Sequence, residues 1–224
     1  MCFQSGCGLN TGSTADGRLS TVDTRLMDRL QRVHPNWKVM MWDDSSAPQM
    51  THQARFDNPT GLVAPGWETK FKSNLIRAEL IYQFGGVWTD TDMLWVKPID
   101  ELLEGVFAFG AATHEGHINQ AVVGAEQGHP FFKSVIDAMA AYRASIKTTA
   151  TGAYFWTSGL SGYDGPAVSM LDWRAFYSLN QEGRCLLDPL NPLVYGVHLW
   201  NSQSLTLPVQ LTGNAAFQDV FGQG

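Results

Sequence analysis

The first regular hydrophobic pattern along the chain begins at Thr21. Apolar residues then recur every three or four positions with charged residues between them, at Val22, Leu26, Leu30 and Val33. This is the spacing of an amphipathic helix, which we expect to end at Pro35-Asn36. Residues 1–20 are rich in Gly, Ser and Thr and have no period, so they are predicted to be a loop or a poorly ordered N-terminus. The globular domain is then expected to span 21–224.

A longer apolar pattern covers 69–84. Its apolar side chains fall on two neighbouring helical stripes, one with Phe71, Leu75, Ala78 and Tyr82 and the other with Ile76, Leu80 and Phe84. A helix with so wide an apolar surface is typically well buried. Gly85-Gly86 can adopt the left-handed conformation that ends a helix. The β-branched and aromatic residues of 87–89 predict a strand directly after it.

Shorter patterns elsewhere alternate between strand and helix. Residues 45–67 are dense in Pro and Gly, which predicts a long surface connection of the kind that often covers a site. A second connection is predicted at 151–163. Strands are expected at 38–42, 93–96, 106–109, 185–187 and 194–199, and helices at 130–145 and from Pro166. Helices that alternate with short strands indicate an α/β fold in a single domain.

Composition and charge exclude several classes of protein. The chain is 44% hydrophobic and 16% charged, as expected for a globular domain rather than a disordered or collagen-like chain. A net charge of −6 gives no broad basic surface for nucleic acid. No apolar run is long enough to span a membrane, and the N-terminus lacks the pattern of a signal peptide. Three cysteines without C-x-x-C spacing favour a reducing, cytoplasmic location over disulfides or a zinc site.

Two aspartates follow the strand predicted at 87–89. Residues i and i+2 of an extended chain project to the same side, so Asp90 and Asp92 present two carboxylates together. Such a pair favours a divalent cation, and Mg²⁺ and Mn²⁺ prefer oxygen ligands that substrate phosphates often complete. A D-x-D pattern also occurs where one aspartate caps a turn and the other is solvated. The flanking residues decide between these interpretations.

Two polar residues lie on the predicted buried helix upstream of the aspartates. Asn74 and Arg77 are three positions apart and therefore share one face of the helix. Arg77 could form a structural ion pair with a carboxylate such as Asp90. Alternatively, its planar guanidinium could donate hydrogen bonds that orient a diphosphate or a sugar hydroxyl. Local physics leaves both roles open.

The residues around the aspartates resemble the DXD sugar-binding region of family 32 glycosyltransferases. The resemblance is carried by Lys72 to Arg77, Leu80, Tyr82, the run from Gly85 to Asp92, and Lys97 to Asp100. A weaker likeness spans about residues 22–204 and includes Ile118 to Ala125, Gly128 to Phe131, Gly165-Pro166 and His198 to Trp200. That family includes bacterial capsule-type sugar transferases, fungal mannosyltransferases and distant relatives among glucosylating toxins. The resemblance implies a GT-A fold, which is a Rossmann-like mixed sheet flanked by helices.

The resemblance also implies roles for single residues. Asp90 and Asp92 are the implied catalytic residues, with Asp92 a direct ligand of Mn²⁺ or Mg²⁺ and Asp90 shared between the donor and a metal-bound water. His198 would complete the metal site or touch the diphosphate, although a histidine beside a tryptophan can equally be a packed structural residue. The implied donor-binding residues are Asn74, Arg77, Asp90, Asn119, Gln120, Gly165 and Trp200.

The implied reaction moves a sugar from a UDP- or GDP-sugar to a hydroxyl of a glycan or another acceptor, with retention of anomeric configuration, as in polysaccharide biosynthesis. The metal would stabilise the charge of the leaving phosphate.

Two features of the sequence depart from the family. Asn74 stands where many members have an aspartate that contacts donor hydroxyls, which bears on donor choice and activity. Nothing before Thr21 matches the apolar first strand that helps to hold the base.

Two other functions fit parts of the pattern. A phosphohydrolase can use D-x-D after a strand, with the first aspartate as a phosphate-accepting nucleophile. That class expects a later lysine and another acidic pair, and no pair of aspartates accompanies Lys133 and Lys147. A non-catalytic binder of sugar or nucleotide would also accommodate Asn74 and the unusual N-terminus, because fold and motif do not guarantee activity.

Overall fold

The structure of the protein is a computed structural model that describes residues 2–6, 21–42, 46–59, 68–141, 152–200 and 215–221. The α-helices in these residues are α1 (Thr21–Val33), α2 (Gln53–Asp57), α3 (Glu68–Phe84), α4 (Pro130–Ala141), α5 (Ala153–Ser161) and α6 (Ala215–Phe221). The strands are β1 (Cys2–Gly6), β2 (Lys38–Trp42), β3 (Gly86–Thr89), β4 (Met93–Trp95), β5 (Ala108–Ala112), β6 (Ile118–Ala125), β7 (Ser169–Leu171) and β8 (Gly196–His198).

A six-stranded mixed sheet lies at the centre of the fold, with the strand order β2-β1-β3-β6-β5-β7. β1 pairs in parallel with β2 and β3, β6 pairs antiparallel with β3 and β5, and β7 runs parallel to β5. A smaller antiparallel sheet joins β4 to β8 and aligns Met93 with His198. The end of β3, where Asp90 follows, therefore lies in the middle of the large sheet and beside the small one.

Each face of the six-stranded sheet has its own apolar core. Successive residues of a strand point to opposite faces. Val87 of β3 packs in a core with residues of α1, β4, β8 and α6, whereas Trp88 packs in a core with residues of α3, α4 and α5. Val122 and Val123 of β6 divide between the cores in the same way. The predicted α/β fold with a mixed sheet flanked by helices is confirmed.

The junction between α3 and β3 confirms the pattern seen in the sequence. α3 ends at Phe84 and buries apolar residues on both predicted stripes, together with Arg77 and Glu79. Gly85 follows with φ of 67°, and a Cβ at this position would lie 2.7 Å from the backbone nitrogen of Gln127. Both the backbone conformation and the close approach require glycine. The helix therefore leads without a longer loop into the strand that carries the aspartates.

The N-terminal segment differs from its prediction. Residues 2–6, expected to lie in a loop, form β1, which pairs with β2 from Cys2 opposite Lys38 to Gly6 opposite Trp42 and with β3 on its other side. Backbone hydrogen bonds on both sides satisfy the polar groups of such a strand. Its partners are remote in sequence, so no local pattern reveals it. The prediction is wrong for 2–6, and a first strand exists without the apolar sequence expected for it.

The C-terminal half contains further differences. The connection predicted at 151–163 includes α5, whose buried Trp156 packs edge-on against Phe131 and Phe132. The helix predicted from Pro166 is wrong, since β7 pairs there with β5. Instead of a strand at 185–187, a single bridge joins Leu179 to Cys185. Tertiary pairing and packing override weak local preferences in these segments.

β5 is shifted from its predicted position, and β6 is not among the predicted strands. β5 begins two residues later than expected, and α4 starts at Pro130 as predicted. Residues 142–145, predicted as the end of that helix, lie outside the described part of the chain. Within the described residues, no helix has the length and hydrophobicity needed to cross a membrane.

Candidate active site

The two aspartates connect the large sheet to the small one. The backbone nitrogen of Asp90 donates to the carbonyl of Ala121 at 2.9 Å, which continues the pairing of β3 with β6 by one residue. The chain then turns through Thr91 and Asp92 into β4. The carbonyl of Asp92 accepts a hydrogen bond from the nitrogen of Leu199 at 2.9 Å, next to the end of β8. Each aspartate is thereby held by a different sheet.

His198 is brought to the aspartates by the pairing of β4 with β8. Its Nε2 lies 3.2 Å from Asp92 Oδ1, and both side chains are buried. One ligand atom from each of Asp90, Asp92 and His198 lies within 4.8 Å of the other two. Asp90 is the most accessible of the three, with a quarter of its side chain exposed. The structure thus assembles the three residues that the sequence nominates for a metal.

The electrostatic balance at His198 favours the protonated ring. Burial opposes the charged form, but the Asp92 carboxylate and, more weakly, the Asp90 carboxylate outweigh it and raise the pKa of His198 above its usual value. When the ring is protonated, it compensates part of the negative charge of the aspartate pair. Its other ring nitrogen, Nδ1, is buried and has no hydrogen-bond partner among the described residues.

Arg77 lies beneath Asp90 and is almost fully buried. Its Nη2 lies 3.3 Å from Asp90 Oδ1, its Nη1 donates to the carbonyl of Gln120 at 2.7 Å, and its Nε and Nη2 bind the carbonyl and hydroxyl of Ser73. Both terminal nitrogens are therefore engaged by the protein itself. Of the two roles left open by the sequence, the structure displays the ion pair with Asp90.

Trp88 also binds Asp90, a role that sequence reasoning missed. The indole Nε1 donates to Asp90 Oδ1 at 2.8 Å, and the Arg77 guanidinium lies over the Trp88 ring, 5.2 Å from its centroid. Trp88 and Asp90 are two residues apart, the spacing that places side chains on one side of an extended chain. That spacing was a usable signal.

Tyr177 is a second residue that the sequence did not reveal. Its ring meets the His198 ring edge-on at 5.9 Å between centroids, and its hydroxyl donates to the carbonyl of Asn119 at 3.2 Å. Burial, followed by the nearby Asp90 carboxylate, raises the pKa of Tyr177 well above its usual value, so the phenol stays neutral and remains a donor. Nothing local in the sequence marks this residue.

Trp200 packs against His198 in an uncommon backbone conformation. Its ring centroid lies 4.1 Å from that of His198, and its Nε1 donates to the carbonyl of Leu179 at 2.9 Å. Its φ is 54°, in the left-handed region that costs most non-glycine residues about 1–2 kcal/mol. Such strain persists only where the surrounding contacts fix it, and it concentrates at functional sites.

The remaining predicted donor-binding residues occupy different places. Asn74 is half-buried on α3, one turn before Arg77. Asn119 and Gln120 lie on β6 beyond the position opposite Asp90, and Asn119 Oδ1 accepts a hydrogen bond from the nitrogen of Ala121. Gly165 lies in the exposed bend between α5 and β7, outside the cluster of Asp90, Asp92 and His198.

Comparison with known protein families finds a match for the part of the chain that contains the two aspartates. Residues 21–107 match the family model described as the glycosyltransferase sugar-binding region containing a DXD motif. The match includes Arg77 and both aspartates, whereas His198 lies beyond it. No curated protein sequence matches the chain.

Solved structures show the fold. The chain is similar to the PaToxG glycosyltransferase, with a TM-score of 0.52 and 13% identity over 70% of this chain and 67% of that one. It is also similar to galactosyltransferase LgtC, solved in complex with donor and acceptor sugar analogs, with a TM-score of 0.51 and 10% identity over 96% of this chain and 100% of that one. The central mixed sheet and flanking helices match these GT-A structures. Together with the matched family region, they support a glycosyltransferase, as predicted.

Proposed function

We propose that this chain is a metal-dependent glycosyltransferase that moves a sugar from a nucleoside-diphosphate sugar to an acceptor hydroxyl. The observation that carries the proposal is the cluster of Asp90, Asp92 and His198, which the fold gathers from both sheets inside a glycosyltransferase framework. A solvated D-x-D would need no buried histidine. The burial of Asp92 and His198 is explained if the cluster has a ligand to hold.

The residues of the cluster fit Mn²⁺, with Mg²⁺ as the second candidate. Ligands bound at ~2.1 Å to one small divalent ion lie no more than ~4.2 Å apart, so small side-chain movements would bring these atoms, now within 4.8 Å, to one ion. The two carboxylates suit either ion, and the imidazole makes Mg²⁺ the second candidate because Mg²⁺ binds chiefly through oxygen. The ion would supply neutralisation of the charge that develops on the leaving diphosphate.

The roles that we propose for the residues of the site follow from how exposed each side chain is. Asp92 and His198 are buried and pinned to the small sheet, so they would fix the position of the site. Asp90 is partly exposed and would face the donor. Arg77 orients Asp90 from below. The donor contacts assigned to Asn74, Asn119, Gln120, Gly165 and Trp200 rest on the resemblance of the sequence, as does the choice of a UDP- or GDP-sugar.

Retention of anomeric configuration is the stereochemistry that we propose. A double displacement needs a carboxylate nucleophile beside the anomeric carbon. Among the described residues, the acidic members of the cluster are only Asp90 and Asp92, which would hold the ion, and the buried Glu79 is bound to Thr51 instead. The resemblance of the sequence implies attack by the acceptor hydroxyl on the same face that the diphosphate leaves, with the leaving phosphate accepting the proton of that hydroxyl.

The proposal is tested by incubating the purified chain with Mn²⁺ and a panel of UDP- and GDP-sugars, with and without glycan acceptors. Release of nucleoside diphosphate is followed in parallel for wild type, Asp92→Ala and Asp137→Ala. Asp137 lies on the exposed side of α4, bound to Lys133 and His52, and serves as the matched control. We expect turnover with at least one donor, lost in Asp92→Ala and kept in Asp137→Ala.

Other outcomes would assign a different function. A thermal shift with Mn²⁺ and nucleotide but no turnover with any donor would indicate a non-catalytic binder. Release of inorganic phosphate from small phosphate esters would indicate a phosphohydrolase. Turnover that survives Asp92→Ala would refute the role given to the cluster.

A further inference from the structure

Two donors from different elements converge on one oxygen of Asp90. Trp88 Nε1 donates a hydrogen bond to Oδ1 at 2.8 Å, and Arg77 Nη2 lies 3.3 Å from the same atom. Among the described residues, no donor reaches Oδ2. A carboxylate has lone pairs on both oxygens, so this arrangement leaves one oxygen occupied by the protein and the other open.

The surroundings hold both donors in place. Trp88 is fully buried in the core beneath α3, and Arg77 is fixed by Ser73 and the carbonyl of Gln120. The guanidinium lies over the indole ring, 5.2 Å from its centroid, so the two side chains also hold each other through a cation–π contact. Neither donor can follow Asp90 if its carboxylate rotates.

We infer that Trp88 is a positioning residue that, together with Arg77, fixes the orientation of the Asp90 carboxylate and presents Oδ2 to the divalent ion. The inference rests on the proposed function, because it assumes that Asp90 is a ligand. The last torsion of an aspartate side chain is broad and nearly two-fold, so an unrestrained carboxylate at a partly exposed position samples many orientations. Two fixed donors on Oδ1 remove that freedom before the ion arrives.

The energetic consequence is an effect on metal affinity. Partners that hydrogen-bond to a metal ligand commonly change affinity by about 10–100-fold when they are removed. Trp88→Phe deletes the N–H but keeps an aromatic ring beneath Arg77. We therefore expect Trp88→Phe to weaken Mn²⁺ binding by a factor in this range.

Trp156→Phe is the matched control. Trp156 is also fully buried, lies in the same core as Trp88, and packs on Phe131 and Phe132 away from the aspartates. Its Nε1 has no hydrogen-bond partner among the described residues. The same change at this position leaves a similar cavity without touching Asp90, so a general loosening of the core would affect both variants alike.

The experiment measures Mn²⁺ affinity of the full chain by electron paramagnetic resonance of the free ion, and folding by thermal unfolding without metal. Arg77→Lys is included because it keeps the positive charge but removes the planar guanidinium. If Trp88→Phe does not fold, Arg77→Lys still tests whether donors on Asp90 Oδ1 affect Mn²⁺ binding. We expect weaker Mn²⁺ binding in Trp88→Phe and Arg77→Lys and wild-type binding in Trp156→Phe. The double variant should lose less than the product of the two single effects, because both donors act through one atom.

The outcomes separate this inference from the proposed function. If wild type binds Mn²⁺ and Trp88→Phe binds it equally well, the inference is overturned while the metal site stands. If Mn²⁺ binding is weakened equally in Trp88→Phe and Trp156→Phe, the effect comes from core packing, and the inference is also overturned. If wild type binds no Mn²⁺, the metal site itself is refuted, and the inference with it.

Discussion

His198 Nε2 lies 3.2 Å from Asp92 Oδ1, although 106 positions separate the two residues in the chain. The contact exists because β4 and β8 pair with Met93 opposite His198. Both residues are buried, and a buried charged pair stabilises a fold little compared with apolar residues of the same size. A role in the proposed metal site accounts for this buried pair, which leads to the first of four predictions.

Mn²⁺ should stabilise the folded chain through this contact. A ligand that binds only the folded state raises the free energy of unfolding by about 2.7 kcal/mol at a concentration 100 times its Kd. His198→Ala removes one ligand and leaves Asp92 buried without the imidazole beside it. Urea unfolding with Mn²⁺ and with EDTA should show the increment in wild type and lose most of it in His198→Ala. An equal increment in both proteins would remove His198 from the metal site.

Tyr177 should contribute to stability through its hydroxyl and to the site through its ring. Tyr177→Phe loses one hydrogen bond to the carbonyl of Asn119, which should cost about 1 kcal/mol, while the edge-on contact with His198 is kept. Tyr177→Ala also loses the ring, at a cost of about 3–5 kcal/mol. Urea unfolding measures both, and Mn²⁺ affinity should fall only in the alanine variant. A fall of the same size in Tyr177→Phe would show that the hydroxyl, not the ring, supports the site.

Glu79 should attach the segment 46–59 to α3. This carboxylate is fully buried and accepts hydrogen bonds from the nitrogen and hydroxyl of Thr51 at 2.6 and 2.9 Å. Glu79→Ala leaves those donors without their acceptor, which should cost about 1–3 kcal/mol and free the segment. Limited proteolysis should then cut within 46–59 sooner than in wild type. Glu68→Ala, at the start of the same helix, is the control, and equal cleavage of all three proteins would contradict the role of Glu79.

At position 200, glycine should give a more stable protein than alanine, the reverse of the usual order. Both variants lose the ring contact with His198, so their difference reports the backbone alone. Alanine is normally the more stable residue, but at φ of 54° it should cost about 1–2 kcal/mol that glycine avoids. Thermal unfolding of Trp200→Gly and Trp200→Ala measures the difference. A more stable alanine variant would mean that the left-handed conformation is not maintained.

Much of the site was predictable because it is built from one continuous stretch. The apolar stripes of α3 and the Gly85-Gly86 stop obey local rules of helix ending, and Trp88 and Asp90 obey strand alternation. Asp92 lies instead in the turn that leads into β4. Those rules place Arg77 and Asp90 near each other without knowledge of the fold, since only a helix end and a short strand separate them. Trp88 belonged to the same stretch and could have been found by the same alternation.

The rest depended on pairing between distant segments. β1 is a strand because β2 and β3 hydrogen-bond to it on both sides, and α5 forms where Trp156 can pack on α4. Tyr177 and Trp200 meet His198 only after the small sheet has formed. The sequence by itself determined the helix, the turn and the two carboxylates, because backbone geometry within a few residues dictates them. The resemblance of the sequence nominated His198 and Trp200, but only the tertiary structure decided that these rings and the Tyr177 phenol meet around the carboxylates, because the energy of those contacts arises between residues that the chain keeps far apart.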